Sequence, residues 1–513
     1  METELKFQVP AARSAALHRA VKTRSATTVR LQAVYVDTDD QRLAAAGLAL
    51  RLRKEGRRWV QTLKGRGDAD AGHGLLDRLE HEVAVPTAEV DPGHPMPDPG
   101  RHAGTPAGEL LRKALGTPSA ELKLLYRTDV RRLLRRVRHG GATIEIAHDQ
   151  GRLLTDRGNV AVDEFELELV AGPPQALVDL SQRWAARFGL WWDSRTKSER
   201  GMRLALGNEH VPAVHATPVR WRDAADAAGV GSAALQAALA QALPNASELA
   251  AGSGSPEHVH QLRVALRRLR TLLRMWAPWL ADPDQARALE AAWRGPFGVL
   301  GAARDADVQA LTLWPALQAA GAPDIDWPTP AGAPDAADCV RGPDFTSLML
   351  QTLALTLPQP RVAGIDIDTD VGIGSSPAAA AAGAVATAAR QALRPAWKHI
   401  LRDARGFEQA DIESQHRTRK RLKRLRYLLE ALQPAFKPRA TKRLLKAVRR
   451  ALNALGELND LQAAEAVCRE LAGTDPRAWF AVGWLAARRA PATVMAAQAL
   501  ADLKAAPRVW LKA

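Results

Sequence analysis

Residues that can bind metal ions and phosphate alternate with apolar residues near the start of the chain. Glu2, Glu4 and Lys6 occupy every second position, and Arg51 and Arg53 do the same between leucines. Neighbouring side chains of a β-strand point to opposite faces, so each set shares one face of a strand. Carboxylates bind divalent cations and guanidinium groups bind phosphate oxygens. Two complementary kinds of charged strand are therefore predicted.

The same spacing of charge recurs along the first two hundred residues. The further charged residues of these segments are Lys64; Arg78, Glu80 and Glu82; Arg127, Asp129 and Arg131; Glu145 and Asp149; Glu164, Glu166 and Glu168; and Lys197. Polar and apolar side chains also alternate along the strands of a half-exposed antiparallel sheet. The solvent face of such a sheet, however, rarely separates acidic strands from basic ones. We therefore expect a closed antiparallel β-barrel with a charged interior, braced by short helices at residues 11–22, 106–115 and 173–188.

Two stretches in the second half of the chain carry positive charge at helical spacing. If residues 415–430 form a helix, one of its faces carries His416, Arg419, Lys420, Lys423 and Arg426. Residues 258–274 repeat the pattern 156 positions earlier and carry His260, Arg263, Arg267 and Arg270. A charge run is usually a solvated helix face, but two copies predict a pair of basic faces for a polyanion, each backed by leucines. Helical spacing adds Lys442 and Lys446 to this surface.

A second pair of motifs repeats with nearly the same shift along the sequence as the two basic stretches. LGAARD at residues 300–305 aligns with LGELND at residues 455–460. The repeating unit is therefore at least a helical hairpin, and we expect two all-α halves, at about residues 221–357 and 378–513, facing each other across a pseudo-two-fold axis. Prolines in residues 206–220 indicate a linker to the barrel of residues 1–205.

The composition favours a polyanionic partner and a reducing compartment. The chain has 513 residues and a net charge of +15, which suits nucleic acid, a phosphate polymer or a membrane surface. Two cysteines argue against a disulfide framework or a zinc cluster. The first residues are charged, unlike a signal peptide, and no apolar run approaches the roughly 20 residues of a membrane span. We therefore expect a cytoplasmic protein without membrane contact.

Eight ordered elements in residues 1–205 resemble the CYTH superfamily of triphosphate tunnel metalloenzymes. They are ETELK, VYVDT, LRLRKEG, TLKG, RLEHE, IEIAHDQG, ELEL and the late Lys197. The resemblance implies triphosphate chemistry with Mg²⁺ or Mn²⁺ as cofactor. It implies metal binding by Glu2, Glu4, Glu166 and Glu168, and triphosphate binding by Lys6, Arg51, Arg53, Lys64, Arg127 and Lys197. Glu82 and Asp149 match acidic positions that bind metal or orient a water, with Glu80 and Glu164 as competing choices.

Residues 221–513 resemble the CHAD family of helical polyphosphate-binding domains. The matching segments are HQLRVALRRLR, LGAARDAD, HRTRKRLKRLRYLLE and LGELNDLQ. The resemblance implies a groove for inorganic polyphosphate, lined by the basic residues of both repeated helices. For a lone helical histidine such as His260 or His416, hydrogen bonding to phosphate or to a core partner is expected rather than metal coordination.

These features together predict an inorganic triphosphatase that also binds polyphosphate. Its expected partners are tripolyphosphate and long-chain polyphosphate, and association with polyphosphate granules follows from this. A non-catalytic polyphosphate-binding protein and a triphosphatase for an organic triphosphate remain alternatives. Nucleic-acid binding is disfavoured, because the basic helices lack interleaved aromatic residues that stack on bases.

Overall fold

The computed structural model describes the backbone of residues 2–66, 77–116, 120–208, 211–220, 226–280, 282–308, 313–325, 335–357 and 377–511. Side chains are described in these ranges except at residues 2, 66, 77, 78, 305–308, 377–384 and 511. The fold class is α+β, with an N-terminal antiparallel sheet and a C-terminal helical region. Two compact units are present. The first comprises Met1–Val214, Ala242–His258 and Val340–Arg361, and the second His215–Gln241, Val259–Cys339 and Val362–Ala513.

Within the described ranges the sheet has nine strands in the order β5-β4-β3-β2-β6-β7-β8-β1-β9. Their bounds are β1 (Glu2–Gln8), β2 (Thr27–Asp37), β3 (Leu48–Glu55), β4 (Arg58–Arg66), β5 (Asp77–Val85), β6 (Lys123–His139), β7 (Ala142–Thr155), β8 (Gly158–Ala171) and β9 (Trp191–Trp192). Neighbouring strands are antiparallel. Seven of these strands, β1 and β3 to β8, fall where the alternation of charge predicts them, whereas β2 and β9 were not predicted from it.

The two ends of the sheet meet only briefly, unlike those of the predicted closed barrel. β5 pairs with β1 through two residue pairs at the start of β1. Further along the same strand, Phe7 and Gln8 pair with β9 instead. Little of β1 is therefore left for β5, and the prediction of a barrel closed along its strands is wrong.

The buried leucines of β3 determine which face of this strand carries the charged residues. In β3, Leu48, Leu50 and Leu52 are buried, while Arg51 and Arg53 lie on the other face. Leu48 and Leu50 belong to the same core cluster as residues of the helix at Pro106–Leu115. Burying one leucine contributes about 1.5–3 kcal/mol, and a shift by one residue would exchange the two faces. The apolar core thus holds the arginines on the opposite side of the sheet.

The helices are α1 (Ala11–Val21), α2 (Arg42–Ala45), α3 (Pro106–Leu115), α4 (Pro174–Phe188), α5 (Lys197–Leu206), α6 (Ala227–Ala251), α7 (Pro256–Trp276), α8 (Pro283–Ala292), α9 (Arg294–Val308), α10 (Trp314–Ala319), α11 (Ala336–Arg341), α12 (Pro343–Ala354), α13 (Pro377–Asp403), α14 (Ile412–Ala431), α15 (Pro438–Ala472) and α16 (Trp479–Leu503). α1, α3 and α4 confirm the three helices predicted beside the strands. Among the described helices, none combines the length and the apolarity that crossing a membrane requires.

The two basic helices of the second unit bury their leucine faces. Leu262, Leu266 and Leu269 of α7 are fully buried, and so are Leu422 and Leu425 of α14. The predicted division of each helix into an apolar face and a basic face is confirmed. The two LG motifs lie on α9 and α15, so both motifs of each repeat are helical.

Candidate active site and polyanion site

A charged cavity of about 970 Å³ lies within the first unit. The predicted residues that line it are Glu4 and Lys6 of β1, Arg51 and Arg53 of β3, Lys64 of β4, Glu82 of β5, Asp149 of β7, Glu166 and Glu168 of β8, and Lys197 of α5. The sheet therefore brings the acidic and basic strand faces around one space, which we call the charged cavity.

Two of the predicted residues are not placed in this cavity. Arg127 is exposed, and Thr128, Val130 and Arg132 of the same strand line the cavity instead. Because side chains alternate along a strand, Arg127 points to the outer face of the sheet. Its predicted contact with triphosphate is corrected accordingly. The side chain of Glu2 lies outside the described part of the structure, and its metal-binding role stays a prediction.

Lys197, the first residue of α5, contacts three carboxylates, of which Asp149 and Glu164 are buried and Glu166 is half-buried. Its Nζ lies 2.9 Å from Asp149, 2.6 Å from Glu164 and 2.7 Å from Glu166. Arg132 forms an ion pair with Asp149 at 2.6 Å and a second one with Glu166. Burial alone would lower the pKa of Lys197, but the carboxylates raise that pKa well above its usual value. Burial alone would raise the pKa of Glu166, but Lys197 and Arg132 hold that pKa well below its usual range. This side of the cavity is a fixed network of charges.

Basic residues of β3 and β4 form the opposite wall. Nη1 of Arg51 donates a hydrogen bond to the hydroxyl of Tyr35 at 3.3 Å. Burial and the positive charge of Arg51 lower the pKa of Arg53. Lys64 contacts Glu80 at 3.0 Å. Since the two guanidinium groups repel each other, an anion bound between them would relieve an existing electrostatic cost.

The two predicted catalytic acids have different surroundings. Oε1 of Glu82 accepts a hydrogen bond from Thr62 at 3.0 Å and lies 3.4 Å from Arg53. The Glu82 side chain is 45% exposed, whereas that of Asp149 is 1% exposed and is held by Arg132. Glu82 is therefore accessible to a water molecule, and Asp149 belongs to the fixed network.

In the second unit, three arginines of α7 surround one aromatic ring. The guanidinium carbons of Arg263, Arg267 and Arg270 lie 5.2, 5.4 and 5.3 Å from the ring centre of Phe297. Such cation–π contacts contribute about 0.5–1 kcal/mol at exposed sites. Arg270 also forms an ion pair with Glu290 at 2.8 Å. Phe297 therefore orders a row of positive charge along the helix.

Residues of α7 and α14 form a common basic cluster. Burial and the positive charges of Arg267 and Arg419, with a smaller effect of Arg263, lower the pKa of Lys423 to about 6. Asp460 acts in the opposite direction. Arg263, Arg267, Arg419 and Lys423, which we call the basic cluster, are thus close enough to repel one another. The structure brings the two predicted basic faces together.

The remaining predicted residues lie around this cluster. Nδ1 of His416 is 2.5 Å from the side-chain oxygen of Asn459, and burial lowers the pKa of His416. Arg426 contacts Glu430 at 3.3 Å, one helical turn away. Of the others, His260 is half-buried, while the exposed ones are Lys420, Lys442 and Lys446.

A glycine of each LG motif packs against the equivalent arginine of each basic helix. A Cβ atom on Gly301 would lie 2.6 Å from Nη1 of Arg263, and one on Gly456 would lie 3.5 Å from Nη2 of Arg419. Arg263 and Arg419 occupy equivalent positions of the internal repeat, and so do the two glycines. The contact between glycine and arginine is therefore present in both copies of the internal repeat, and it is tighter in the first copy.

Comparison with known families places both halves of the chain. A family model described as the CYTH domain matches residues 1–201, and one described as the CHAD domain matches residues 233–469. This chain carries a CYTH domain followed by a CHAD domain. Both resemblances read from the sequence are thereby confirmed.

Individual relatives are similar to parts of the chain. A curated relative, the inorganic triphosphatase of Haemophilus influenzae, is 28% identical over 170 residues, which cover 33% of this chain and 44% of the relative. The CHAD domain of Ricinus communis is 27% identical, with coverage of 58% of this chain and 99% of the other and a TM-score of 0.44. HpAC1 from Hippeastrum is 20% identical, with coverage of 38% and 93% and a TM-score of 0.27.

Three carboxylates of the CYTH domain stand in one row across neighbouring strands. Glu4 of β1 is paired with Glu168 of β8, which is paired in turn with Glu145 of β7. All three line the charged cavity, and Mg²⁺ and Mn²⁺ prefer oxygen ligands. In the described residues no group of three acids or histidines has the spacing of a preformed metal site. The donors of this acid row fit a divalent cation by chemistry, and other oxygen atoms would have to complete the coordination.

Some lining residues of the CYTH domain are absent from the sequence prediction. Arg132 follows Arg131 directly, so β6 carries arginine on both faces and alternation alone cannot choose between them. Glu145 was predicted to share a charged strand face with Asp149, but it was not among the residues predicted to bind metal. Leu243 and Pro244 of α6 also line the cavity, and nothing in their local sequence indicates this.

Proposed function

We propose that the CYTH domain hydrolyses inorganic triphosphate in the charged cavity. The observation that carries the proposal is the presence of a basic wall and a row of carboxylates around one space. A triphosphate carries several negative charges, so Arg51, Arg53 and Lys64 can hold its oxygens while the acid row requires a bridging cation. The Haemophilus influenzae relative, which is named an inorganic triphosphatase, supports this choice of substrate.

The reaction needs positioning and charge neutralisation more than covalent catalysis. A divalent cation held by Glu4 and Glu168, and by the oxygen of Glu145 that does not contact Arg136, would neutralise charge on the phosphate oxygens when bound. Arg51, Arg53 and Lys64 bind and orient the substrate. Glu82 accepts a hydrogen bond from the attacking water, whose oxygen bonds to a terminal phosphorus as the anhydride bond breaks, which yields phosphate and diphosphate.

The charged network on the other side serves a different purpose. Lys197 and Arg132 hold Asp149 and Glu166 in their ionised form. Fixed dipoles and charges need no reorganisation as the reaction proceeds, which is a large part of electrostatic catalysis. We assign Glu166 to this network, because two cations already occupy its oxygens.

The test is phosphate release from tripolyphosphate in the presence of Mg²⁺ or Mn²⁺. The double variant Glu4→Gln/Glu168→Gln keeps the size of both side chains and removes their charge. Activity is expected to fall by about 10²-fold or more, as for the loss of a charge-stabilising group in other enzymes. Arg127→Ala, on the outer face of the same sheet, serves as the matched control and should keep full activity. Equal activity in the double variant would contradict the proposal.

For the CHAD domain we infer binding of inorganic polyphosphate by the basic cluster. Burial and the nearby charges of Arg267 and Arg419 lower the pKa of Lys423, and this crowding of buried positive charge is what supports an anionic ligand there. The variant Arg267→Ala/Arg419→Ala should lose most affinity for polyphosphate in a filter-binding assay. The control variant Arg417→Ala changes an exposed residue of α14 that lies outside the basic cluster. This variant should bind polyphosphate like the wild type. Loss of affinity in both variants alike would point to net charge rather than to the cluster.

A further inference from the structure

The place of Lys197 in the charged network depends on the chain segment that carries it. This segment, residues 194–203, follows β9 and includes most of α5, and Lys197 is the first residue of that helix. Thr196 and Glu199 form a capping box, which fixes the residue at which the helix begins. A capping box does not fix where a helix lies on its sheet, so other contacts must hold the segment.

Contacts to both ends of the segment come from the second half of α6. Residues 242–258 belong to the first unit, and they also lie within the stretch 233–469 that matches the CHAD domain. Between residues 242 and 250 the side chains are buried except that of Pro244, which is half-buried. A helix on a protein surface keeps one polar face towards water. This part of α6 is instead an internal element of the unit that holds the charged cavity.

Ser247 of α6 holds the start of the segment. Its side chain is fully buried, and its Oγ accepts a hydrogen bond from the backbone N–H of Ser194 at 3.0 Å. The same hydroxyl donates to the carbonyl oxygen of Leu243 at 2.9 Å, one helical turn earlier. The proton of Ser247 is therefore used within α6, and its oxygen is turned towards Ser194. A buried N–H left without a partner costs about 1–3 kcal/mol, so this contact fixes the chain before Lys197.

Glu248, the next residue of α6, holds the other end of the segment. Its side chain is buried, and Nη1 of Arg203 lies 2.7 Å from its Oε1 and 2.9 Å from its Oε2. The hydroxyl of Ser253 donates to Oε2 at 2.7 Å. A buried carboxylate is costly unless it is paired and hydrogen-bonded, and both conditions are met here. This contact fixes the last turns of α5, after Lys197.

The two contacts therefore enclose Lys197 between anchors that are adjacent in α6. Between them, Arg200 forms an ion pair with Glu164, one of the three carboxylates that Lys197 contacts. Nζ of Lys197 lies within 2.6–2.9 Å of all three, so a small displacement of α5 would break these contacts. Fixed charges stabilise a transition state only while they keep their places.

We propose that Ser247 and Glu248 are positioning residues of the CYTH domain, which hold Lys197 in its network of carboxylates. Neither of them lines the charged cavity, so both act through residues 194–203. Because both lie in the CHAD match, the CHAD domain supplies part of the support of the proposed active site. The effect on reaction rate rests on the proposed triphosphatase function, whereas the support of the segment can be measured without turnover.

Hydrogen exchange of the full chain, followed by mass spectrometry of its peptides, measures that support. The double variant Ser247→Ala/Glu248→Ala removes both anchors, so exchange in residues 194–206 should become about tenfold faster or more. Exchange in β2, β3 and β4 of the same unit should stay as in the wild type. Equal exchange of residues 194–206 in the double variant and the wild type would overturn the proposal.

The matched control is Asn245→Ala, in the same buried part of α6. Asn245 is fully buried, and its side chain bonds to the backbone N–H and carbonyl of Val214 at 3.0 and 2.9 Å. Its replacement should speed exchange around Val214 and leave residues 194–206 as they are in the wild type. Faster exchange of residues 194–206 in the control as well would show general loosening of the unit and would also overturn the proposal.

Steady-state kinetics with tripolyphosphate separate positioning from folding. In the double variant kcat should fall by about tenfold or more, because small displacements near a reacting group are costly, while KM stays within about twofold. Asn245→Ala should keep both constants. A purely structural role would leave kcat per folded molecule unchanged, and that result would overturn the role in catalysis. No hydrolysis by the wild type would overturn the proposed function, while the exchange data would still decide whether Ser247 and Glu248 hold the segment.

Discussion

Lys197 determines the electrostatics of one side of the charged cavity. It contacts Asp149, Glu164 and Glu166, whose side chains are almost inaccessible to water or largely buried. Three carboxylates at this distance would repel one another strongly if the amine were absent. Breaking a buried ion pair by removing one partner typically costs about 3–5 kcal/mol.

The variant Lys197→Met is therefore expected to lose about 3–5 kcal/mol of unfolding free energy near neutral pH. The low pKa of Glu166 in the folded wild type contributes stability above its unfolded pKa, and this is lost as pH falls. The variant lacks that contribution, so its deficit should shrink as the solution is acidified. Urea denaturation at several pH values measures this. Lys197→Arg keeps the charge and should retain most stability, and a constant deficit at all pH values would contradict the assignment.

Lys423 is expected to make the proposed binding of polyphosphate dependent on pH. With a pKa of about 6, this amine is mostly neutral in the free protein at neutral pH. A bound polyanion favours the charged form, so binding should take up protons and strengthen as pH falls from 8 towards 6. Calorimetry in two buffers of different ionisation enthalpy measures the proton uptake.

The matched control is Lys423→Arg, which stays charged throughout this range. Proton uptake should drop in that variant, while the contribution of His416, whose pKa is also lowered by burial, should remain. Unchanged uptake in Lys423→Arg would assign the effect to His416 instead.

At the scale of elements, the paired LG motifs and basic helices allow a comparison within one molecule. Gly301→Ala places a methyl group against Nη1 of Arg263, whereas Gly456→Ala places one at ordinary contact distance from Arg419. Because a guanidinium group is the flexible end of its side chain, α9 should remain folded and Arg263 should move. Removing one charge-assisted contact costs about 1.5–3 kcal/mol.

Gly301→Ala is thus expected to weaken polyphosphate binding by about tenfold or more, whereas Gly456→Ala should bind like wild type. Both variants should be as stable as wild type or slightly more so, since alanine is favoured over glycine in helices by about 1 kcal/mol. Filter binding and thermal unfolding together test this. Equal affinities of the two variants would show that Arg263 does not need its present position.

Elements also show what the sequence can and cannot predict. Strands β1 and β3 were predictable with their cavity-facing residues, because Leu5 and Phe7 in β1 and the leucines in β3 alternate with the charged residues and leave one choice of register. β6 was predictable as a strand, but Arg131 and Arg132 place charge on both of its faces, and only neighbouring strands decide that Arg132 faces inward. The position of Leu243 in the lining of the charged cavity depends on contacts between segments far apart in sequence, which the local periodicity of the sequence does not indicate.

At the scale of the whole molecule, positive charge and two proposed phosphate sites occur in one chain. The net charge is +15, and the basic cluster lies in a unit separate from the charged cavity. Binding of a polymer of phosphates releases bound counterions, so the logarithm of affinity falls linearly with the logarithm of salt concentration.

We expect long-chain polyphosphate to bind with a strong salt dependence. Each arginine removed from the basic cluster should reduce the slope by about 0.7, the value for flexible single-stranded polyanions. A titration from 50 to 200 mM NaCl, followed by filter binding, measures the slope. Arg127→Ala, which is on the outer face of the sheet, should leave it unchanged. If the slope measured for Arg267→Ala equals that of the wild type, the polymer binds elsewhere on the protein.

The pairing of β1 with β8 also governs the order in which the site is assembled during synthesis. Glu4 finds its partner Glu168 only after the whole of β8 has left the ribosome, because β1 precedes the other strands of this sheet in the chain and β8 is the last long one. Until then β1 has an unpaired edge, which is prone to wrong pairing. The acid row is thus completed late, and a nascent chain stalled before Gly158 would hold the arginines of β3 together with Glu4 and Glu145 but would lack Glu168, the middle carboxylate of the row.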